Sequence, residues 1–221
     1  MNRKSITQII MTVSVLVVMA FGLATAGQRS KNEALSDAMS PYEDMAEFAM
    51  KNDAEGVKNS LEKASYSLKK LKTVLPQQIF DAFQGKYDGI TAAAAKGDYP
   101  AVAVLAVDSY KILIDMLDTH GPDVPKEVAL LDYAGFKTEA LLNMPNPDWQ
   151  EIFNVANEAD INWSVIRGQV LKKSLRDSVD TAVAGLKNAA RLRDADMSAF
   201  AAQVNMDLVD LLEKYYGEED D

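Results

Sequence analysis

Few residues in this chain are equipped for chemistry. Its one histidine, His120, stands directly before Gly121-Pro122 and close to Asp115, Asp118 and Asp123. Imidazole and carboxylate both ligate divalent metals, so His120, Asp115 and Asp118 are the candidate cation ligands, with Met45 as a candidate soft donor. Their spacings match no defined metal loop, and the EF-hand pattern is absent. The plainer reading of His120 is a last-turn residue interacting with the dipole of the helix it ends. One histidine excludes sites built from several and makes a Ser-His-Asp triad a poor fit. The chain has no P-loop, no G-x-S-x-G and no H-E-x-x-H. Asp115 and Asp210 each point away from neighbouring apolar residues on their helices and are expected in solvent, which leaves paired-carboxylate catalysis with little support. No catalytic residue can be named, so the reading leans away from an enzyme, and no cofactor is expected. Met39, Met45, Met50, Met116, Met144, Met197 and Met206 are scattered rather than set in M-x-x-M pairs, as suits core filling. Trp149 and Trp163 are expected to pack between helices, the alternative being a pocket that they line.

The beginning of the chain has to be separated from the fold. Arg3 and Lys4 precede an uncharged run from Ile6 to Leu23, and Ala24-Thr25-Ala26 then supplies the A-x-A pattern before Gly27. That order of charge, apolar run and small residues is a secretory signal peptide. The mature chain is expected to begin at Gly27, to be periplasmic or secreted, and to have no stable membrane insertion after cleavage. The alternative is a retained anchor, since an apolar run of about 18 residues is just long enough to span a bilayer. Removing residues 1–26 takes Lys plus Arg from 23 to 21 against 33 acids, so the net charge of −10 becomes −12. Such a field repels nucleic acid and anionic lipid head groups. With no cysteine in the chain, an exported protein must be stabilised by core burial alone.

The remainder reads as helices. Residues 27–39 are polar and aperiodic and are expected to form a flexible linker. Ser40-Pro41-Tyr42-Glu43 is a capping box with proline at the first helical position, and the helix it opens should stop near Lys51-Asn52. Asp53 caps a helix whose stripe is Val57, Leu61, Ala64, Leu68 and Leu71. Pro76 ends it, and a third helix runs from about Gln77 to Ala95. Lys96-Gly97-Asp98 turns into a fourth, striped by Ala103, Ala106, Val107, Tyr110, Leu113, Ile114 and Leu117. Pro125 opens a shorter helix to about Leu142, and Asn143 to Pro147 is a loop. Asp148 with Glu151 starts a long helical stretch with a break near Asp160, whose core side includes Trp163, Ile166, Val170, Val179, Ala182 and Leu186. After a turn at Arg193-Asp194, the last helix carries Met197, Phe200, Ala201, Val204, Leu208, Leu211, Leu212 and Tyr215 as its expected buried stripe. No stretch shows the period-two alternation of a half-buried strand. Short connections imply antiparallel neighbours, so the fold class is all-α, an antiparallel up-down helical bundle.

The segment from Lys96-Gly97-Asp98 to Leu113-Ile114-Asp115-Met116-Leu117-Asp118 echoes that from Arg193-Asp194 to Leu208-Val209-Asp210-Leu211-Leu212-Glu213. Two related helical units would explain it. The expected organisation is a signal peptide at 1–26, a linker at 27–39, a first unit at 40–121, a connecting helix and Pro-rich loop at 122–147, a second unit at 148–216 and an acidic tail at 217–221.

Tyr42-Glu43-Asp44-Met45, Lys51-Asn52-Asp53-Ala54 with Val57 and Leu61, and Ile90 to Asp98 with its Ala-rich sequel carry a resemblance. Over residues 41–120 the chain resembles the periplasmic four-helix-bundle cytochromes, the soluble b-type and c′ kinds. The resemblance implies an up-down bundle, and it implies that Met45 and His120 stand near the haem-ligand positions of the b-type members, His120 about three residues late. The C-x-x-C-H attachment motif of the c′ members is absent. Haem is therefore not expected. Two functional classes remain: a non-enzymatic exported binding or adaptor protein whose partner is a protein or small ligand in the cell envelope, or a carrier of a metal ion, haem or small ligand within the bundle.

Overall fold

A computed structural model describes residues 31–118 and 124–217. The expected signal peptide with its Ala26-Gly27 site, His120, Asp123 and residues 218–221 of the acidic tail lie outside them. Among the described residues there are eight α-helices and no strand. Helix α1 covers residues 31–50. It is followed by α2 (Ala54–Val74), α3 (Gln77–Ala95), α4 (Tyr99–Asp115), α5 (Lys126–Leu142), α6 (Trp149–Ile166), a 3-10 turn (Arg167–Gln169), α7 (Lys173–Leu192) and α8 (Ala195–Gly217). No helix among the described residues is long and apolar enough to cross a membrane.

The expected starts and stops operate as hydrogen bonds. Asp53 accepts from the N–H groups of Glu55 and Gly56, Asp98 from Ala101, Asp148 from Gln150 and Glu151, and Asp194 from Met197. Each satisfies amides that the first helical turn leaves without partners. Gly97 takes the left-handed backbone, φ 69°, that lets α3 end and α4 begin within three residues.

Three expectations need correction. The linker expected at 27–39 is helical from residue 31, and Ala34, Leu35, Ala38 and Met39 are buried. Pro41 therefore does not open α1 but lies inside it. It forfeits the bond to the carbonyl four residues back, at a cost of about 3 kcal/mol for a mid-helix proline. Burial of Leu35, Ala38, Tyr42 and Met45 along one face offsets that loss. The break expected near Asp160 is absent, because its carboxylate turns outward to Lys187 Nζ on α7 at 2.7 Å instead of capping an amide. The chain breaks instead at Arg167–Gln169 and at extended Val170. There Arg167 binds Asp180 through two nitrogens at 2.7 Å, and the Trp163 indole donates to the same carboxylate at 2.7 Å.

The third correction concerns organisation. Residues 122–147 were expected to connect two units, yet they contain the central helix of the molecule. Helix α5 packs against α4, α6 and α8, and α8 also packs on α7. One apolar cluster joins α1–α4 to Leu130, Tyr133 and Ala140 of α5. A second joins Val128, Leu131 and Ala134, on another side of α5, to α6, α7 and α8. Leu141 belongs to a third, with Ile152, Leu186 and Ala202. Even the charge on α5 is enclosed: Lys137 is 5% exposed and pairs with Asp108 of α4, which also binds Lys86 of α3 at 2.7 Å.

Candidate functional site

Three helices each set one stripe of residues, spaced by three or four, along a common cleft. Helix α1 contributes Glu43, Glu47 and Met50, α5 contributes Asp132, Phe136 and Glu139, and α8 contributes Met206, Asp210 and Glu213. That spacing keeps each set on one helical face. The cleft encloses about 580 Å³. Asp44 and Asp207 complete a lining of eight carboxylates against one cation, Lys51. The cation is itself taken up by Glu47. Asp44 pairs with Lys63 at 3.3 Å, and Asp207 accepts from Gln203 at 2.9 Å.

Close contact of α5 and α8 gives the cleft its floor. A Cβ on Gly135 would lie 2.4 Å from Met206 Cγ and 3.1 Å from the Ala202 carbonyl, so only glycine admits this approach. Buried Asn205 of α8 fixes the register by donating to the Leu131 carbonyl at 2.6 Å.

At the inner end, the hydroxyl of buried Tyr110 donates to Asp132 Oδ2 at 3.2 Å. Glu43 hydrogen-bonds the same phenol. Burial pushes the Asp132 carboxyl up to about 8, with repulsion from Glu43, Glu213 and Asp210 adding to it and the Tyr110 bond opposing it. Glu43 is raised by burial first, then by Glu213 and Asp44, against the bond to Tyr110. Glu139 and Glu213 are raised as well, by burial and then by Glu47 and Asp210 respectively. Burial, then Asp132 and Glu43, lift the Tyr110 phenol far out of the neutral range. Two carboxyls bridged by one phenol titrate as a unit, and this unit holds a proton near neutral pH. Bringing a cation into the cleft would favour the ionised carboxylates and release that proton.

The candidate cation ligands singled out from the sequence do not meet here, although Asp210, expected in solvent, and Met50 and Met206, expected in the core, line the cleft. Asp115 is engaged by Lys111 at 2.6 and 2.7 Å. The backbone of Asp118 is held on both sides by the Asn32 amide. Met45 is fully buried in the first apolar cluster, and His120 and Asp123 lie outside the described residues. Among the described residues no three His, Cys, Asp or Glu side chains are grouped to hold a metal ion. Trp163 packs in the second cluster, while half-buried Trp149 lines a small surface hollow with Phe153 and Arg193. Sequence reasoning singled out none of Glu43, Asp132, Glu139 and Glu213 as a site residue, reading Glu43 as a capping residue within a cytochrome-like turn and Glu213 as part of the internal echo. Asp132 had a signal, an acid inside the apolar run Leu130-Leu131-Asp132-Tyr133-Ala134. Comparison of the chain with family models, curated proteins and solved structures found no match.

Proposed function

We propose that this is a non-enzymatic, exported binding protein that takes a cationic group of its partner or ligand into the cleft between α1, α5 and α8. The observation that carries the reading is the accumulation of carboxylates, with half-buried Glu43, Asp132 and Glu139 and more exposed Glu213 raised in proton affinity, around a cleft whose one lysine is already paired. Like charges held together in a partly desolvated site are mutually unfavourable. An ammonium or guanidinium group placed among them relieves that repulsion and makes charge-assisted hydrogen bonds. The cleft offers carboxylates, a phenol, an amide and thioethers, but its lining has no serine, threonine, cysteine or histidine. The signal-like start of the sequence supports an envelope or extracellular setting, where the partner would be a basic protein segment or a small organic cation.

Calorimetric titration with a tetralysine peptide tests this. Binding should strengthen between about pH 6 and pH 9, as the carboxyl unit loses its proton. Protons should be released, read from the dependence of the heat on buffer ionisation enthalpy. Replacing Asp132 by Asn and Glu213 by Gln together should weaken binding at least about tenfold, the order expected for lost charge-assisted contacts. Binding that is unchanged in that variant, or that releases no proton, would sink the proposal. Calcium serves as the second titrant: tight uptake of the ion without affinity for the peptide would move the reading to an ion carrier.

A further inference from the structure

Helix α8 has an exposed apolar face distinct from the stripe that lines the acidic cleft. Met197, Phe200 and Leu211 are 52%, 65% and 48% exposed, and half-buried Val204 and Leu208 lie between them. At about 100° per residue these five fall on one narrow stripe. With Ser178, Ala182 and Gly185 of α7, most of the stripe lines an open apolar groove of about 650 Å³. The small residues of α7 leave room beside α8, and a Cβ on Gly185 would meet nothing within 4 Å.

The spacing of apolar positions along the stripe reads the same in both directions. About Val204, apolar side chains stand at four positions on either side, Phe200 and Leu208, and at seven, Met197 and Leu211. A two-fold axis through Val204 would set Met197 against Leu211 of a second antiparallel copy, and Phe200 against Leu208. Such an interface is self-complementary, as a two-fold contact requires. The flank of the stripe that faces solvent carries Asp196, Gln203, Asp207 and Lys214. An antiparallel pair brings like flanks together, placing Lys214 by Asp196 of the second copy and Asp207 by its Gln203. Acid thus meets base or amide at every step of this flank. Asp196 and Lys214 make no ion pair among the described residues.

We propose that two copies of this chain pair antiparallel through α8, with the dyad at Val204 and each copy covering the α7–α8 groove of the other. Asp207 and Gln203 also line one edge of the acidic cleft, but Met197, Phe200, Val204, Leu208 and Leu211 line none of it, so the register test on the apolar stripe stands apart from the reading of the cleft. A net charge of −10 opposes self-association at low ionic strength. Salt screens that repulsion within about 8 Å at physiological strength, so pairing should tighten as salt is added.

Single-cysteine variants of this cysteine-free chain test the register. Val204→Cys should cross-link to itself under mild oxidation, because helices packed 8–10 Å apart bring dyad positions within disulfide reach. Met197→Cys and Leu211→Cys should each fail alone, since like positions stand about 21 Å apart along the axes, but should cross-link when mixed. Sedimentation equilibrium gives the second readout. Phe200→Glu should raise the dimer Kd by at least about tenfold. Lys214→Glu and Asp196→Lys should each weaken pairing, and the double variant should restore it. A monomer at every concentration and salt, or a Met197→Cys chain that cross-links as readily as Val204→Cys, would overturn the proposal.

Discussion

Asp132 shows how one half-buried acid couples the cleft to pH. Its carboxyl is raised from the ordinary aspartate range to about 8, chiefly by burial, with Glu43 next. The folded protein therefore holds a proton that the unfolded chain has already lost between about pH 4 and pH 8. The resulting stability is fully present below the unfolded value and is lost as pH rises through the folded one. Glu43, Glu139 and Glu213 act in the same direction. We expect the melting temperature to fall as pH rises from about 5 to about 8, and Asp132→Asn to flatten much of that slope. Thermal melts across that range check it, and an unchanged slope in the variant would count against the assignment. At this scale the sequence was partly legible. The aspartate caps at 53, 98 and 148 followed from residue type and position alone, whereas Asp194, read as a turn residue, caps α8 as well. The cleft did not, because Glu43, Asp132 and Glu213 are far apart along the chain and meet only once three helices have packed.

At the scale of the element, α8 corrects the expected burial pattern. Its buried residues are Ser198, Ala201, Ala202, Asn205, Val209, Leu212 and Tyr216. Of the expected stripe only Ala201 and Leu212 belong to that set. The helix carries two apolar faces, one whose N-terminal half is built of small residues and one of large, and periodicity with hydrophobic weight favours the large. The core selected the small because α8 lies close on α5 at Gly135, where the Ala202 backbone would stand 3.1 Å from a Cβ and small Ser198, Ala201 and Ala202 permit that approach. Leu208, expected in the core, is half-buried. Leu212→Ala should cost on the order of 2–5 kcal/mol, whereas Leu211→Ala should stay within about 0.5 kcal/mol in dilute solution. Denaturant melts of the two variants decide it, and equal losses would place the core face elsewhere. The other stripes, such as Val57, Ala64 and Leu71 on α2, were legible because those helices carry one apolar face each.

For the whole molecule, the up-down order of helices was readable from capping residues and short connections, but the role of α5 was not. Its apolar residues are spread around the helix, so ten of its 17 positions are buried and no single stripe marks a partner. Such a helix is enclosed by neighbours rather than laid on a surface. A fragment ending at residue 121 loses Leu130, Tyr133 and Ala140 from the first cluster. It should keep helical signal in the far ultraviolet yet lose near-ultraviolet ellipticity and a cooperative melt, and a sharp two-state transition would show that α1–α4 form a core of their own. The shared helix also bears on the order of events during synthesis. The first four helices emerge before the wall that closes their core, and the last three find that wall already in place. The N-terminal half thus has to wait with sticky surface showing, and it is that half, rather than the C-terminal one, that a chaperone would have reason to hold.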